Sequence, residues 1–115
     1  MSEIRLHRVE SQIREEIGRM IIRGVVKDPR VNSTLSIIEV KVSRDFSNAK
    51  VYISSFGSSN ELDRGIKGLN NAAGFIQSRL AKHLHTRNTP KLVFYPDHSI
   101  EDGTEMIRKL EELDL

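Results

Sequence analysis

The chain has 115 residues, 37% hydrophobic and 30% charged, with no cysteine and a formal net charge of +2. That size suits a single domain spanning 1–115 with a soluble, globular composition. The missing thiols exclude disulfides, Cys-ligated zinc, iron–sulfur clusters and a thiol nucleophile, as expected of a cytoplasmic chain. The longest apolar runs, such as Leu92-Val93-Phe94-Tyr95, are far shorter than the ~20 residues a membrane span needs. The charged opening Met1-Ser2-Glu3-Ile4-Arg5 is expected to carry no secretory signal.

Residues 5–24 read as an amphipathic helix, because Leu6, Val9, Ile13, Ile17, Met20 and Ile21 recur at three- and four-residue intervals. Arg5, Arg8, Arg19 and Arg23 fall within roughly 60° of one another beside that apolar stripe. Gly24 is the expected stop, and Pro29 in Lys27-Asp28-Pro29-Arg30 forbids continuation. The period then changes to two. Ile38, Val40 and Val42 alternate with Glu39 and Lys41, and Val51 and Ile53 alternate with Lys50, Tyr52 and Ser54. The turn-forming stretch Arg44-Asp45-Phe46-Ser47-Asn48 between them predicts an antiparallel hairpin.

Helical period returns after Gly57-Ser58-Ser59-Asn60, with Asn60 as the expected cap and Leu62, Ile66, Leu69, Ala73, Ile76, Leu80 and Leu84 as the apolar stripe. Gly65, Gly68 and Gly74 lie inside it, and each costs a helix interior about 1 kcal/mol relative to Ala, so at least one should mark a break. Thr89-Pro90 is expected to end the helix and Leu92–Tyr95 to form a third strand. Ser99-x-x-Asp102 opens an acidic last helix, about 99–113, carrying Met106, Ile107, Leu110 and Leu113. The resulting order is α-β-β-α-(kink)-α-β-α, an α+β domain whose three-stranded sheet packs against helices.

Catalytic constellations are missing. His83 and His85 are two residues apart, which on a helix points them to different sides, and no carboxylate stands at ligand spacing from His7 or His98. No P-loop, nucleophile elbow or dinucleotide fingerprint is present. A hydrolase or nuclease therefore has no residues to stand on. The expectation is a non-enzyme without cofactor, metal or small-molecule substrate, and a monomer without membrane association.

Charge points elsewhere. Residues 1–90 carry 15 Lys and Arg against 9 Asp and Glu, a net +6, whereas residues 91–115 carry 3 against 7, a net −4. A basic body suggests an anionic partner. Arg64, Lys67, Arg79, Lys82, Arg87 and Lys91 surround the broken helix. A break there exposes unpaired backbone N–H groups at the start of its second half, where phosphate oxygens can dock. KH modules use a Gly-x-x-Gly loop between two helices in this way. Gly65-Ile66-Lys67-Gly68 matches literally, but it lies one turn into the helix and Ile66 is needed on the buried stripe. Ala72-Ala73-Gly74, mid-stripe, is the better-placed break, with Phe75 beside it. The alternative for Gly74 is tight packing of the helix on the sheet. Tyr52 and Tyr95 are the only tyrosines and there is no tryptophan, so base stacking has few candidates. That favours the competing reading, a module that docks on proteins and touches nucleic acid little.

Across nearly its whole length the chain resembles the bacterial ribosome-binding factor A family. The resemblance is carried by Arg8-Val9 and Ile13, Val26-Lys27-Asp28-Pro29-Arg30, Ile38-x-Val40-x-Val42-Ser43-x-Asp45 and Ala49-x-Val51. It continues through Leu69-Asn70-x-Ala72-Ala73-Gly74-Phe75-Ile76, Arg87-x-x-Pro90-x-Leu92-x-Phe94 and Asp97-x-Ser99. It implies a KH-like (type II) fold in which an Ala-x-Gly kink, here Ala72 and Gly74, replaces Gly-x-x-Gly. It also implies binding to the immature small (30S) ribosomal subunit and its ribosomal RNA near the 5′ end, help in late maturation and 16S rRNA processing, and a role in growth in the cold. The acidic end, Glu111-Glu112-Leu113-Asp114, is expected to leave this chain without the basic C-terminal extension of longer members, placing RNA contact on the folded body.

Overall fold

The computed structural model describes residues 3–84 and 88–98. Its first helix, α1 (Glu3–Ile22), buries Val9, Ile13, Ile17, Met20 and Ile21, the stripe that the three- and four-residue spacing predicts. It stops at Gly24, whose φ of +66° is a left-handed conformation that glycine adopts without a Cβ penalty. The Val25 N–H then donates to the Met20 carbonyl at 3.0 Å and the Gly24 N–H to that of Ile21 at 3.2 Å, which satisfies the last carbonyls of the helix.

Strands β1 (Leu35–Val42) and β2 (Asn48–Ser55) pair antiparallel, as the hairpin pattern predicts. In the turn, the Asp45 carboxylate accepts from the Ser47 hydroxyl at 2.7 Å, the Ser43 hydroxyl at 2.8 Å and the Ser47 N–H at 3.1 Å. These bonds, the Ser47 hydroxyl foremost, hold its pKa down at about 2. Phe46 sits at φ 60°, a conformation that costs a non-glycine residue about 1–2 kcal/mol. Packing of its ring against the core offsets that cost. The two-residue alternation puts Ile38 on the buried face, but the structure does not. A register shift between Ile37 and Glu39 changes the phase of the strand, so Ile37 is buried and Ile38 only half-buried.

Two helices follow, α2 (Ser59–Asn71) and α3 (Ala73–Ala81), and then β3 (Lys91–Pro96), which pairs parallel to β2 and completes a sheet of order β1-β2-β3. The cap of α2 is Ser58 rather than Asn60. Ser58 is extended and its hydroxyl accepts the Glu61 N–H at 3.2 Å, whereas Asn60 is already inside the helix. Helix α3 ends at Ala81, short of Thr89, where the Lys82 and His83 N–H groups tighten onto the carbonyls of Arg79 and Leu80. The expected last helix, with Ser99, Asp102, Met106, Ile107, Leu110 and Leu113, lies outside the described residues, as do His85 and Arg87.

Buried residues of all three helices meet one face of the sheet. Ile13, Ile17, Leu69, Ile76 and Leu80 close on Val51, Ile53 and Phe94 in a single core. Side chains from the helices also seal both sheet edges. Glu10 of α1 accepts the Val42 N–H at 2.8 Å, and the Asn70 amide both accepts from the Phe94 N–H at 2.9 Å and donates to its carbonyl at 3.0 Å. Edge groups left open would offer a template for another strand. Up to β3, the element order is the one predicted, and the arrangement is α+β and KH-like.

Candidate nucleic-acid interface

The break in the long helix falls at Ala72, with φ −93° and ψ 5°, between the end of α2 and the start of α3. The Ala72 N–H still bonds back to the Gly68 and Leu69 carbonyls, at 3.0 and 3.1 Å, so the junction is tight. Helix α3 has no side-chain cap. Ala73, Gly74 and Phe75 therefore present the first N–H groups of α3 at its positive end, the geometry that accepts an anion.

The glycines before the break and the glycine after it differ in surroundings. A Cβ on Gly65 would stand 2.8 Å from the Leu35 methyls. One on Gly68 would stand 3.0 Å from Val31, 3.1 Å from Asp28 and 3.2 Å from Arg30. The literal Gly65-x-x-Gly68 motif is thus a packing surface that lets β1 and the α1–β1 loop lie against α2. Gly74 is exposed, and a Cβ there would meet nothing within 4 Å. Among the described residues, close packing does not account for Gly74.

The Lys27-Asp28-Pro29-Arg30 segment braces this junction from below. Asp28 accepts from the Arg30 Nε at 2.9 Å, its Nη2 at 2.7 Å and its backbone N–H at 3.0 Å. A bond from Asn71, the residue before the break, reaches the same carboxylate. These contacts, the Arg30 side chain first, hold the Asp28 carboxyl well below the usual carboxylate range and raise the Arg30 guanidinium.

Cations flank α3. The Arg79 guanidinium lies 5.8 Å from the centre of the half-exposed Phe75 ring. Arg79 of α3 and His83 just beyond it line a cleft together with Arg19 and Arg23 at the end of α1. Arg19 is partly neutralised by Glu16 at 2.9 Å and Glu15 at 3.1 Å. The second basic patch expected from α1 accordingly divides. Arg19 and Arg23 join Arg79, while Arg8 stands roughly 16 Å up the helix from Arg19, at about 1.5 Å per residue, with Arg5 one turn further. On the other flank of α3, Gly74, Gln77, Ser78 and Ala81 face Asn88 and Thr89 across a shallow open groove. Lys82 is exposed at the end of α3, and Arg64 and Lys67 are exposed on α2. Lys91 does not join them. Strand alternation puts it with Tyr95 on the sheet face turned away from the core.

Sequence reasoning missed that face. Tyr52 and Tyr95, 43 residues apart, are direct neighbours across the parallel β2–β3 pair, and their rings stack at 5.7 Å with 28° between planes. The only signal was that each occupies an outward position of its strand. Among the described residues no group of histidines and carboxylates could hold a metal ion, and no helix is long and apolar enough to cross a membrane.

Comparison with known proteins agrees with the shape of the molecule. The profile of the family described as Ribosome-binding factor A matches residues 5–110. Ribosome-binding factor A of Treponema denticola is 53% identical over 114 residues, covering 99% of this chain and 86% of that protein. The crystal structure of ribosome-binding factor A from Thermus thermophilus superposes with a TM-score of 0.67 at 25% identity, over 79% of this chain and 94% of that one. A homology model of the Thermus thermophilus factor, fitted into a cryo-EM map of its complex with 30S, gives a TM-score of 0.63 at 25% identity. It covers 79% of this chain and 93% of that one.

Proposed function

The chain belongs to the ribosome-binding factor A family. From that membership we propose that it binds the immature small (30S) ribosomal subunit, contacts its ribosomal RNA near the 5′ end, and assists late maturation and 16S rRNA processing without catalysing a reaction. The observation that carries the RNA reading is the junction at Ala72. An uncapped helix start, an exposed glycine whose Cα no described residue covers and a groove along one flank of α3 meet there, and the arginine-lined cleft stands at the far end of α3. Backbone N–H groups of Ala73, Gly74 and Phe75 receive a phosphate oxygen, and Arg79 and Lys82 supply positive potential around it. Arg19 and Arg23 extend that potential onto α1. Arg64 and Lys67, on the exposed side of α2, add to it at longer range.

This arrangement reads backbone rather than base identity, because phosphate contacts position a nucleic acid without specifying sequence. Specificity for one place on the subunit then comes from shape and from contacts elsewhere on the protein. Binding should therefore be strongly salt-dependent. With about four to six phosphates neutralised, the log–log salt slope is expected to lie near −3 to −4, at roughly 0.7 per phosphate of a single strand. Equilibrium binding to small-subunit ribosomal RNA across a salt series checks this. A slope near zero would favour docking on ribosomal proteins instead. The protein is proposed to act as a cytoplasmic monomer.

A further inference from the structure

We infer that the outward face of the sheet is a second nucleic-acid contact, a platform on which unpaired bases of single-stranded RNA stack against Tyr52 and Tyr95. The inference takes its ligand class from the RNA-binding reading above, but it stands on separate residues. The three helices of the described residues bury their apolar side chains on the opposite face of the sheet, so the platform and the Ala72 junction lie on opposite sides.

Two features point to bases. The first is the aromatic pair itself. Register places Tyr52 beside Tyr95 at the middle of the sheet, their rings stack on each other, and Tyr95 remains 38% exposed. Tyr52 is half-buried between Tyr95 and the Lys41 ammonium, so the aromatic area open to a base is that of Tyr95, at the outer end of the stacked pair. Aromatic side chains on an open sheet are also how other single-strand binders hold bases, since every base has a π-face. The second feature is charge. Lys41 and Lys50 face each other across β1 and β2 in the row next to the tyrosines, and Lys91 stands opposite Asn48 one row further on. All three are exposed, and the Lys41 ammonium lies 5.9 Å from the centre of the Tyr52 ring. The one carboxylate in these rows is Glu39, which sits 3.9 Å from Lys41 in an exposed pair of little strength. A strand whose bases cover the tyrosines can thus run its phosphates along the three lysines toward the hairpin end. Besides the two rings, this face offers an apolar partner only the half-buried Val93, set among the lysines.

The tyrosines report their own occupancy. The protein has no tryptophan, so its intrinsic fluorescence comes from Tyr52 and Tyr95 alone. The test titrates the full chain with a single-stranded oligouridylate, a duplex RNA of equal length and inorganic polyphosphate, correcting for absorbance with free tyrosine amide. Affinity is measured in parallel by anisotropy of labelled RNA. Quenching by the single strand and not by the duplex or polyphosphate is the expected result. Tyr52→Val and Tyr95→Val keep strand-forming side chains at solvent-facing positions and should each weaken single-strand binding by about tenfold, the scale of one lost base stack. The Tyr52→Phe and Tyr95→Phe variants should bind like the parent.

Gly74→Val separates the two sites. It should lower affinity but leave the quenching at saturating RNA intact. Full affinity in the Tyr52→Val/Tyr95→Val double variant would overturn the platform and leave the junction reading in place. Equal quenching by polyphosphate would reduce the face to an electrostatic patch and overturn stacking. Loss of small-subunit association in the double variant without any change in RNA affinity would assign the face to a protein. Concentration-dependent quenching without RNA would assign it to a second copy of the chain. Each of those two results would overturn the proposal. A parent protein that binds no RNA at all would remove the junction reading as well.

Discussion

Gly68 and Gly74 are six residues apart on one broken helix, and they are glycines for opposite reasons. At Gly68, and one turn earlier at Gly65, the missing Cβ makes room for the protein's own chain: Leu35, Val31, Asp28 and Arg30 occupy the space. At Gly74 no described residue occupies it. Both kinds of site cost helix propensity, but only the first recovers it as packing within the fold. Gly18 in the middle of α1 has the same open space; what sets Gly74 apart is its place at the uncapped start of α3, where the RNA contact is proposed.

The contrast is sharpest in substitutions to valine. Gly65→Val drives a branched side chain into Leu35 and should destabilise the fold by about 2–3 kcal/mol, the scale of overpacking, which a urea or thermal melt reads directly. Gly74→Val should leave the melt unchanged within error and weaken RNA binding about tenfold or more. That is the scale of one charge-assisted hydrogen bond at about 1.5–3 kcal/mol. A Gly74→Val protein that melts early would place this glycine in the same class as Gly65 and break the comparison.

The Asn70 clamp offers a finer cut. Asn70→Ala removes both bonds to the Phe94 backbone and should destabilise by about 1–2 kcal/mol, with RNA affinity unaltered once the protein is folded. Smaller still is the effect of Arg79→Ala, which should reduce the magnitude of the RNA salt slope by about 0.7 without shifting the melting temperature measurably.

Acid gives the gentlest test of the brace beneath the junction. Asp28 and Asp45 are both held below their ordinary value of 3.8. A carboxyl depressed by folding stabilises the native state while ionised, so the contribution is present above about pH 4 and is lost as pH falls. For Asp45 that loss runs from about 4 to about 2, and for Asp28 it continues lower. The melting temperature should drop across this window, and Asp28→Asn should flatten the drop. A melt profile identical in parent and variant would mean the Asp28–Arg30 contact does not support the folded chain.

How much could be read beforehand followed the range of the physics involved. The apolar stripes of α1 and α2–α3 and the alternation in β2 depend on residues within a few positions of one another, and they were legible. The position of the break was legible too, because a mid-stripe glycine conflicts locally with helix propensity. The phase of β1 was not, since a bulge after Ile37 is set by its pairing with β2. Ser58 outcompeted Asn60 as cap because the preceding turn left it extended. Nothing local announces that Asn70 meets Phe94, that Arg79 shares a cleft with Arg19 and Arg23, or that Tyr52 meets Tyr95. Each of these contacts is made across separate elements.

The most direct test of a glycine kept small for RNA is co-sedimentation of the parent and Gly74→Val proteins with free small ribosomal subunits, at low and high salt, alongside their thermal melts. The parent should travel with the subunits at low salt and be released as salt rises. Gly74→Val should melt at the same temperature yet stay behind. Equal co-sedimentation of the two proteins, or a parent absent from the subunits even at low salt, would contradict that role for Gly74.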